Sequence, residues 1–588
     1  MLTRGILENF RKSLPFLIIF AVTFLVFMNT LRFYLLPAWD DGEFVINMTR
    51  YFRPSIANLC YLLFDTSSGN YVPLVNFSYA IDYNFQAFTG IATYHFQSVF
   101  WHAATVCGLF QCMRFLGIPL RFALLTALLY AVSPQRTESV AWVAERRDVM
   151  CGAFYFWSLY FYFRGCGKKL FPMFPLILFV CALLSKPSAI SMPCVLVMYK
   201  IWKDKSFFPF RKYLSLIPYF IFAALIAFGT ARLQLYVGKG YDPVERTLIV
   251  LHNLAWYSVK NFYPGEMSPM YPLIVFGAKT ILYMAVFYFS LGSLLVFIAL
   301  RWRKIFIYTL MPLIVSYIAA LFPTIGFVQI GTGTWDYADR YSYIPGGIAF
   351  FALAAGIRLL LRRKSSFVVS AEKLLPVFLV CAVIFFAGTT FFYNYTWKTY
   401  RNLISVAAQH DPPNKYGLYF YGILTCDEMK LDESERAADL ILASSRKDQL
   451  DNNDVSLYYM ALYLKGRIAV KRGDHRQASF FFKDATRHLG EFLFQQNKAY
   501  IEALKTALNS FMTAGWNDEV LRCCDLIAAN APSGGVDFHF YRGLAFCMRG
   551  KSELAIQEFR KALELSPGDP NIKANIERLK EAAEAMDK

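Results

Sequence analysis

The sequence predicts an all-α protein: a polytopic membrane bundle of about eleven transmembrane helices, followed by a water-facing domain of helical repeats. Three observations predict it. Residues 1–395 consist of apolar runs joined by short basic loops. From 396 onward the chain turns polar and helix-forming, and it closes in a tail rich in Glu, Lys and Ala. Within that second part, one pattern of small residues and an aromatic recurs with unchanged spacing. The chain therefore divides into a membrane domain 1–395, a linker 396–415 and a repeat domain 416–588.

Composition supports the division. Of 588 residues, 56% are hydrophobic, 18% aromatic and only 17% charged, where a soluble chain carries about a quarter charged. The formal charge of +18 does not point to nucleic acid, because Lys and Arg cluster in short loops between apolar runs. Twelve cysteines are scattered with no CxxC pair. Cys523 and Cys524 with Cys547 could form a disulfide, but small buried hydrophobes are the favoured reading.

The first element begins after Arg4, Arg11 and Lys12, as an apolar run over 14–36. It has no small-residue cleavage site and reads as an uncleaved signal anchor. Further runs follow at 92–113, 120–133, 149–163, 170–185, 187–202, 213–230, 276–300, 305–322, 344–361 and 374–393. Some are shorter than the roughly 20 residues a spanning helix wants, which is tolerable where helices line a wet cavity. The stretch 247–263 is also apolar and is read as interfacial, since a span there would move every later basic loop to the other side. With the N-terminus in the cytoplasm, the inner segments 1–13, 114–121, 164–169, 200–212, 301–304 and 358–364 carry 20 Lys and Arg. The longer outer loops 37–75, 134–148, 184–189, 231–275 and 323–343 carry 11. That bias sets the expected orientation, and an odd number of spans puts the C-terminal domain outside the cytoplasm.

In the tail, Gly466, Gly473, Ala478, Phe482 and Ala485 recur as Gly543, Gly550, Ala555, Phe559 and Ala562, each 77 residues on. Pro567 follows where the second helix must stop. This is the TPR pattern: small residues where paired helices cross, an aromatic between them, a terminal Pro. The separation leaves room for a degenerate copy around 500–530, and another fits at 416–444. Such arrays serve as spacers or as grooves for an extended polypeptide, and the groove is the favoured reading.

Ionisable residues beside a membrane are costly and so become functional candidates. Asp40 and Asp41, in Pro-Ala-Trp-Asp-Asp-Gly-Glu, stand at the outer end of the first run. Adjacent carboxylates there can supply a general base or a metal ligand, or merely end a helix in a turn. Arg136, Glu138, Glu145, Arg146, Arg147 and Asp148 form a second cluster. It reads either as a solvated loop or as a phosphate site in which Glu138 and Asp148 orient the arginines. Lys186, the pair Asp339-Arg340, and His95 with His102 complete the set. No Gly-rich phosphate loop, HExxH, GxSxG or zinc spacing occurs, which argues against ATP-driven transport, zinc proteolysis and serine hydrolysis. An outer active site then needs a donor carrying its own leaving group, as a polyprenyl-phosphate sugar does.

The run from Pro134 to Val149, Pro-Gln-Arg-Thr-Glu-Ser-Val-Ala-Trp-Val-Ala-Glu-Arg-Arg-Asp-Val, resembles the signature loop of the transmembrane and TPR-repeat-containing O-mannosyltransferases, above all their bacterial relatives. Matching stretches follow that family's order: Tyr71 to Asp82, Tyr94-His95 with His102, Leu184-Ser-Lys-Pro187, and Pro323 to Gln329 leading to Ala338 to Pro345. Ser268 to Pro272 is a weaker match, and Ser133-Pro134 stands where members often have His-Pro. The resemblance covers about residues 1–400 and the repeat class of the tail.

It implies a GT-C fold and an inverting transfer from a polyprenyl-phosphate sugar, with a mannose-like hexose favoured. The family's acidic pair falls on Asp40 and Asp41 as catalytic residues. Arg146, Arg147, Lys186 and Arg340 are then expected to bind the donor phosphate, with Glu138, Asp148, Asp339 and His102 orienting them. No cofactor is expected and metal is not favoured. The expected partners are the lipid-linked sugar, membrane lipid and a polypeptide acceptor presented by the repeats. A glycan or lipid acceptor, and a non-catalytic scaffold, are the alternatives. Glycans on the sequons at Asn47 and Asn76 would crowd the site, which favours a bacterial inner membrane with site and repeats on the periplasmic side.

Overall fold

The computed structural model describes residues 2–67, 69–90, 92–165, 173–208, 210–234, 242–327, 337–362, 366–410, 413–444, 452–492, 497–531 and 534–586. Val328 and Gln329 of the matched stretch, 166–169 and Arg363-Lys364 of two expected basic loops, 170–172 of an expected apolar run, and 411–412 of the expected linker lie outside them. All regular secondary structure among the described residues is helical, with no strand. They form two units, 1–412 and 413–588.

Among the described residues of the first unit, six helices are long and apolar enough to cross a membrane: Arg11–Arg32, Phe210–Leu233, Ala278–Arg301, Arg303–Leu321, Asp339–Leu361 and Glu372–Trp397. Their surfaces fit lipid rather than water, since Phe289, Leu300, Phe378 and Phe385 all lie bare. That is the pattern of a membrane protein. Leu120–Ala131 and Met173–Leu183 are apolar but shorter. The remaining expected runs form Tyr94–Phe115, Arg146–Gly165 and Met192–Asp204. These three include polar and charged positions because they are interior helices: His102, Arg146 and Asp148 on them are all buried.

Close helix contacts build this interior. Gly152 lies so near Tyr343 that a Cβ there would sit 2.5 Å from the ring. Tyr343 in turn bonds to two other helices, with its hydroxyl 2.6 Å from His102 Nδ1 and its carbonyl accepting from the Tyr130 hydroxyl at 2.9 Å. The chain runs back and forth, so the starts of Arg146–Gly165 and Tyr343–Leu361 share one end of the bundle with the end of Met173–Leu183. The stretch 73–89, not among the expected runs, is a helix opened by Pro73 and closed by Gly90 at φ +73°. Residues 243–260, the expected interfacial stretch, form one helix that buries Ile249, Val250, Ala255 and Tyr257. The segment expected as a linker carries the helix Tyr400–Gln409, capped by Thr399 and burying Leu403, Ile404 and Ala407. A one-sided apolar stripe of that kind is what distinguishes a docked helix from a linker.

The second unit stacks helix pairs: Lys415–Asp427 with Leu431–Ser444, Asn452–Lys471 with His475–Phe492, Asn497–Ala514 with Asn517–Asn530, and Val536–Met548 with Ser552–Leu565. Pro570–Met586 closes the stack. The two matching copies pack alike. A Cβ on Gly466 would meet Phe482 at 2.5 Å, and one on Gly543 would meet Phe559 at 2.7 Å. Gly473 and Gly550 turn between the paired helices at φ +81° and +71°, a conformation that favours glycine. Cys523 and Cys524 are free and buried among apolar neighbours.

Candidate functional site

Segment 133–148 is the centre of the first unit's charged end. It was open to two readings, and the solvated loop is not what forms, since every residue from Ser133 to Asp148 is buried. Pro134 starts a tight turn, a short helix covers Thr137–Ala141, and Trp142 is extended before the chain turns again into Arg146–Gly165. Trp142 stacks on Trp397 with ring centroids 5.3 Å apart, fixing the segment against the last spanning helix.

Charges placed out of water need partners, and here they share them. Glu145 is the hub. Its oxygens take Arg147 at 2.5 Å and Lys186 at 3.0 Å, with Arg340 Nε at 3.7 Å. Lys186 also reaches Asp148 at 2.7 Å, and Asp148 accepts from Ser139 at 3.0 Å. Glu138 holds Arg340 twice, accepting from its backbone N–H at 2.9 Å and from its guanidinium. Burial works against ionisation of Glu145, but Arg147, Lys186 and Arg340 outweigh it and hold the carboxyl below its ordinary range.

The expected donor-binding cations do not behave alike. Arg147, Lys186 and Arg340 keep 11%, 15% and 12% of their side chains exposed, so one edge of each faces outward. Arg146 is fully buried. It pairs with Asp82 at 2.6 Å, donates to Ser78 at 2.9 Å and to the Tyr94 carbonyl at 2.7 Å, and lies over the Tyr79 ring. Its place as a phosphate ligand is thus corrected to that of a brace between helices. Arg136, also fully buried, donates to Ser342 in the same manner.

The acidic pair also separates. Asp41 is buried and accepts the Leu36 N–H at 2.9 Å on one oxygen and the Ala144 N–H at 2.8 Å on the other. It stitches the loop after the first helix to the 133–148 segment. Burial raises its carboxyl to about 6 against the pull of those two N–H groups. Asp40 is half-buried and forms no such stitch. Burial raises its carboxyl above the ordinary range; Arg147 and Arg340 oppose that rise and Glu145 adds to it. A raised, accessible carboxylate facing cations is suited to taking a proton. Of the pair, Asp40 alone has that environment.

Two expected orienting residues serve other contacts. Asp339 accepts from the Tyr271 hydroxyl at 2.9 Å, and His102 lies between Tyr343 and the Ala131 carbonyl. Neither holds Arg147, Lys186 or Arg340. Sequence reasoning gave no role to Glu145 or to Asp82. Both sit inside the matched stretches, but only their three-dimensional partners separate them from neighbouring acids. Among the described residues no group of three or more His, Cys, Asp or Glu comes together as a metal cage.

No protein family's sequence profile matches the chain, and no curated protein is significantly similar to it in sequence.

Proposed function

We propose that this chain is an inverting glycosyltransferase of the GT-C type, moving a mannose-like hexose from a polyprenyl-phosphate carrier to Ser/Thr hydroxyls of exported proteins. The observation that carries the reading is Asp40, raised by burial and half-open beside the charges of Arg147 and Arg340, with Lys186 joined to the same cluster through Glu145. In the reaction the acceptor oxygen attacks C1 of the sugar as the bond from C1 to the phosphate oxygen breaks, inverting that carbon. Asp40 takes the hydroxyl proton. The three cations neutralise the departing polyprenyl phosphate, and such fixed charge is usually the larger contribution to rate. Glu138, Glu145 and Asp148 hold the cations in place while leaving their outer edges for the donor. The ordered motifs supply the family resemblance, and the stacked helix pairs of residues 413–588 suit a TPR domain that presents an extended acceptor. The excess of Lys and Arg in the opposite loops supports an Asp40 outside the cytoplasm, and the sequons at Asn47 and Asn76 favour the periplasmic side of a bacterial inner membrane.

The test is transfer from a polyprenyl-phosphate hexose to a Ser/Thr-rich peptide by the purified protein in lipid vesicles. Asp40→Asn should lower the rate roughly 10²–10⁴-fold without shifting the thermal unfolding midpoint. Undiminished transfer by that variant would remove Asp40 as the base. Transfer to lipid or glycan with none to peptide would move the acceptor to another class.

A further inference from the structure

The first unit also contains a large cavity, of about 1330 Å³, away from Asp40 and its cations. Its rim is made where several helices end or begin. Arg164 closes one helix, Lys203 and Lys205 another, Lys304 stands between two, and Arg358 and Arg362 end a further one. Two of these helices, Arg146–Gly165 and Tyr343–Leu361, start at the Asp40 site, so the cavity opens at their other ends. No Asp or Glu lines it among the described residues. The nearest acid along the chain, Asp204, is turned to Lys212 at 3.2 Å.

Below the rim the walls are apolar, with Phe156, Leu159, Leu313 and Ile348 among them. Pockets for drug-sized molecules span roughly 300–1,000 Å³, and this one is larger. Part of the rim is engaged with the fold: Arg358 donates to the Leu116 carbonyl, and Lys205 to that of Tyr308 at 3.3 Å. Lys203, Lys304 and Arg362 form no hydrogen bond or ion pair with described residues. Cations with no assigned counter-charge above an apolar chamber amount to an amphipathic mould: an anion at the mouth, hydrocarbon beneath.

We infer that this cavity is a binding site for an anionic phospholipid, its phosphate held by the basic rim and its acyl chains between the helices. Basic pockets between spanning helices on the cytoplasmic side take acidic headgroups in this way, and the rim belongs to the loops whose charge excess marks that side. The reading needs only a membrane bundle and holds whether or not Asp40 is catalytic. A bound lipid would fill the gap between the helices Met192–Asp204, Met311–Leu321 and Tyr343–Leu361.

The experiment uses the full chain reconstituted in phosphatidylcholine vesicles containing a minor fraction of phosphatidylglycerol, then released gently and weighed intact with its retained lipid. Wild type should retain phosphatidylglycerol well above its share of the vesicle. Lys203→Ala with Lys304→Ala, and separately Arg362→Ala, should lower that enrichment roughly fivefold per charge removed, with phosphatidylcholine retention unchanged. Leu313→Trp, which fills the chamber and leaves the rim, should lower retention of the lipid as well. Inorganic phosphate and glycerol 3-phosphate should not displace it. Retention in bulk proportion by wild type would overturn the inference. So would displacement by inorganic phosphate together with indifference to Leu313→Trp, which would make the rim a site for a free anion.

Discussion

Asp40 and Asp41 are neighbours in sequence and identical in side chain, yet their surroundings assign them different work. Asp41 spends both oxygens on backbone N–H groups. Removing it leaves two buried donors unmatched, at about 1–3 kcal/mol each, so Asp41→Ala should lower the unfolding midpoint markedly whereas Asp40→Asn should not. The Asp41 effect has a definite pH sign. Its folded carboxyl, at about 6, lies above the unfolded value near 3.8, so the folded state binds the proton more tightly. The advantage of wild type over Asp41→Ala should therefore be greatest below the unfolded value and shrink as pH rises through about 6. Unfolding midpoints of both proteins across that range check it; a gap that widens with pH would contradict it. The sequence marked the pair as a unit but could not divide it, because the division is made by the N–H groups of Leu36 and Ala144, the second of them remote in the chain. Arg146 and Arg147 were equally alike on paper. They part only because helix geometry turns one toward Asp82 and the other toward Glu145.

At the scale of elements, the buried segment 133–148 and the paired helices of the second unit each rest on one close contact that substitution can reach. Glu145 is a shared counter-charge for Arg147, Lys186 and Arg340. Glu145→Gln takes Arg147's ion-pair partner and leaves Lys186 with Asp148 alone and Arg340 with Glu138 alone, and should cost on the order of 3 kcal/mol, read as a lower unfolding midpoint beside the exposed control Glu43→Gln. An unchanged midpoint would mean that Glu138 and Asp148 suffice. In the second unit, Gly466→Ala and Gly543→Ala each drive a methyl into an aromatic ring. Both should destabilise by about 1–3 kcal/mol, measured by thermal unfolding, and the two losses should be similar because the contacts are. The helix pairs were legible in the sequence because small residues and aromatics recur at fixed spacing where helices must cross. Helix Tyr400–Gln409 was not, since ten residues with a single apolar stripe resemble a linker until a partner surface is known. The interior helices were legible as apolar runs, but their number as spans was not. Length and apolarity pick out six, while helices such as Tyr94–Phe115 are shielded by protein and need no such composition.

For the whole molecule, the division into residues 1–412 and 413–588 makes a prediction about the proposed reaction. Removing 413–588 should abolish transfer to protein while leaving slow hydrolysis of the lipid-linked sugar by the first unit. Equal loss of both in a folded protein would end the idea that the second unit presents the acceptor. The membrane character and the polar tail were plain from hydropathy alone. The cavity on the basic side was not, because its walls come from helices far apart in the chain and its rim from loops that sequence reads only as a topology signal. The measurement that bears most directly on the central claim is an intact-mass comparison of exported proteins from cells expressing wild type or Asp40→Asn at equal levels. Loss of a hexose mass from those proteins in the variant is the predicted result; an unchanged set of masses, with both proteins folded and in the membrane, would contradict it.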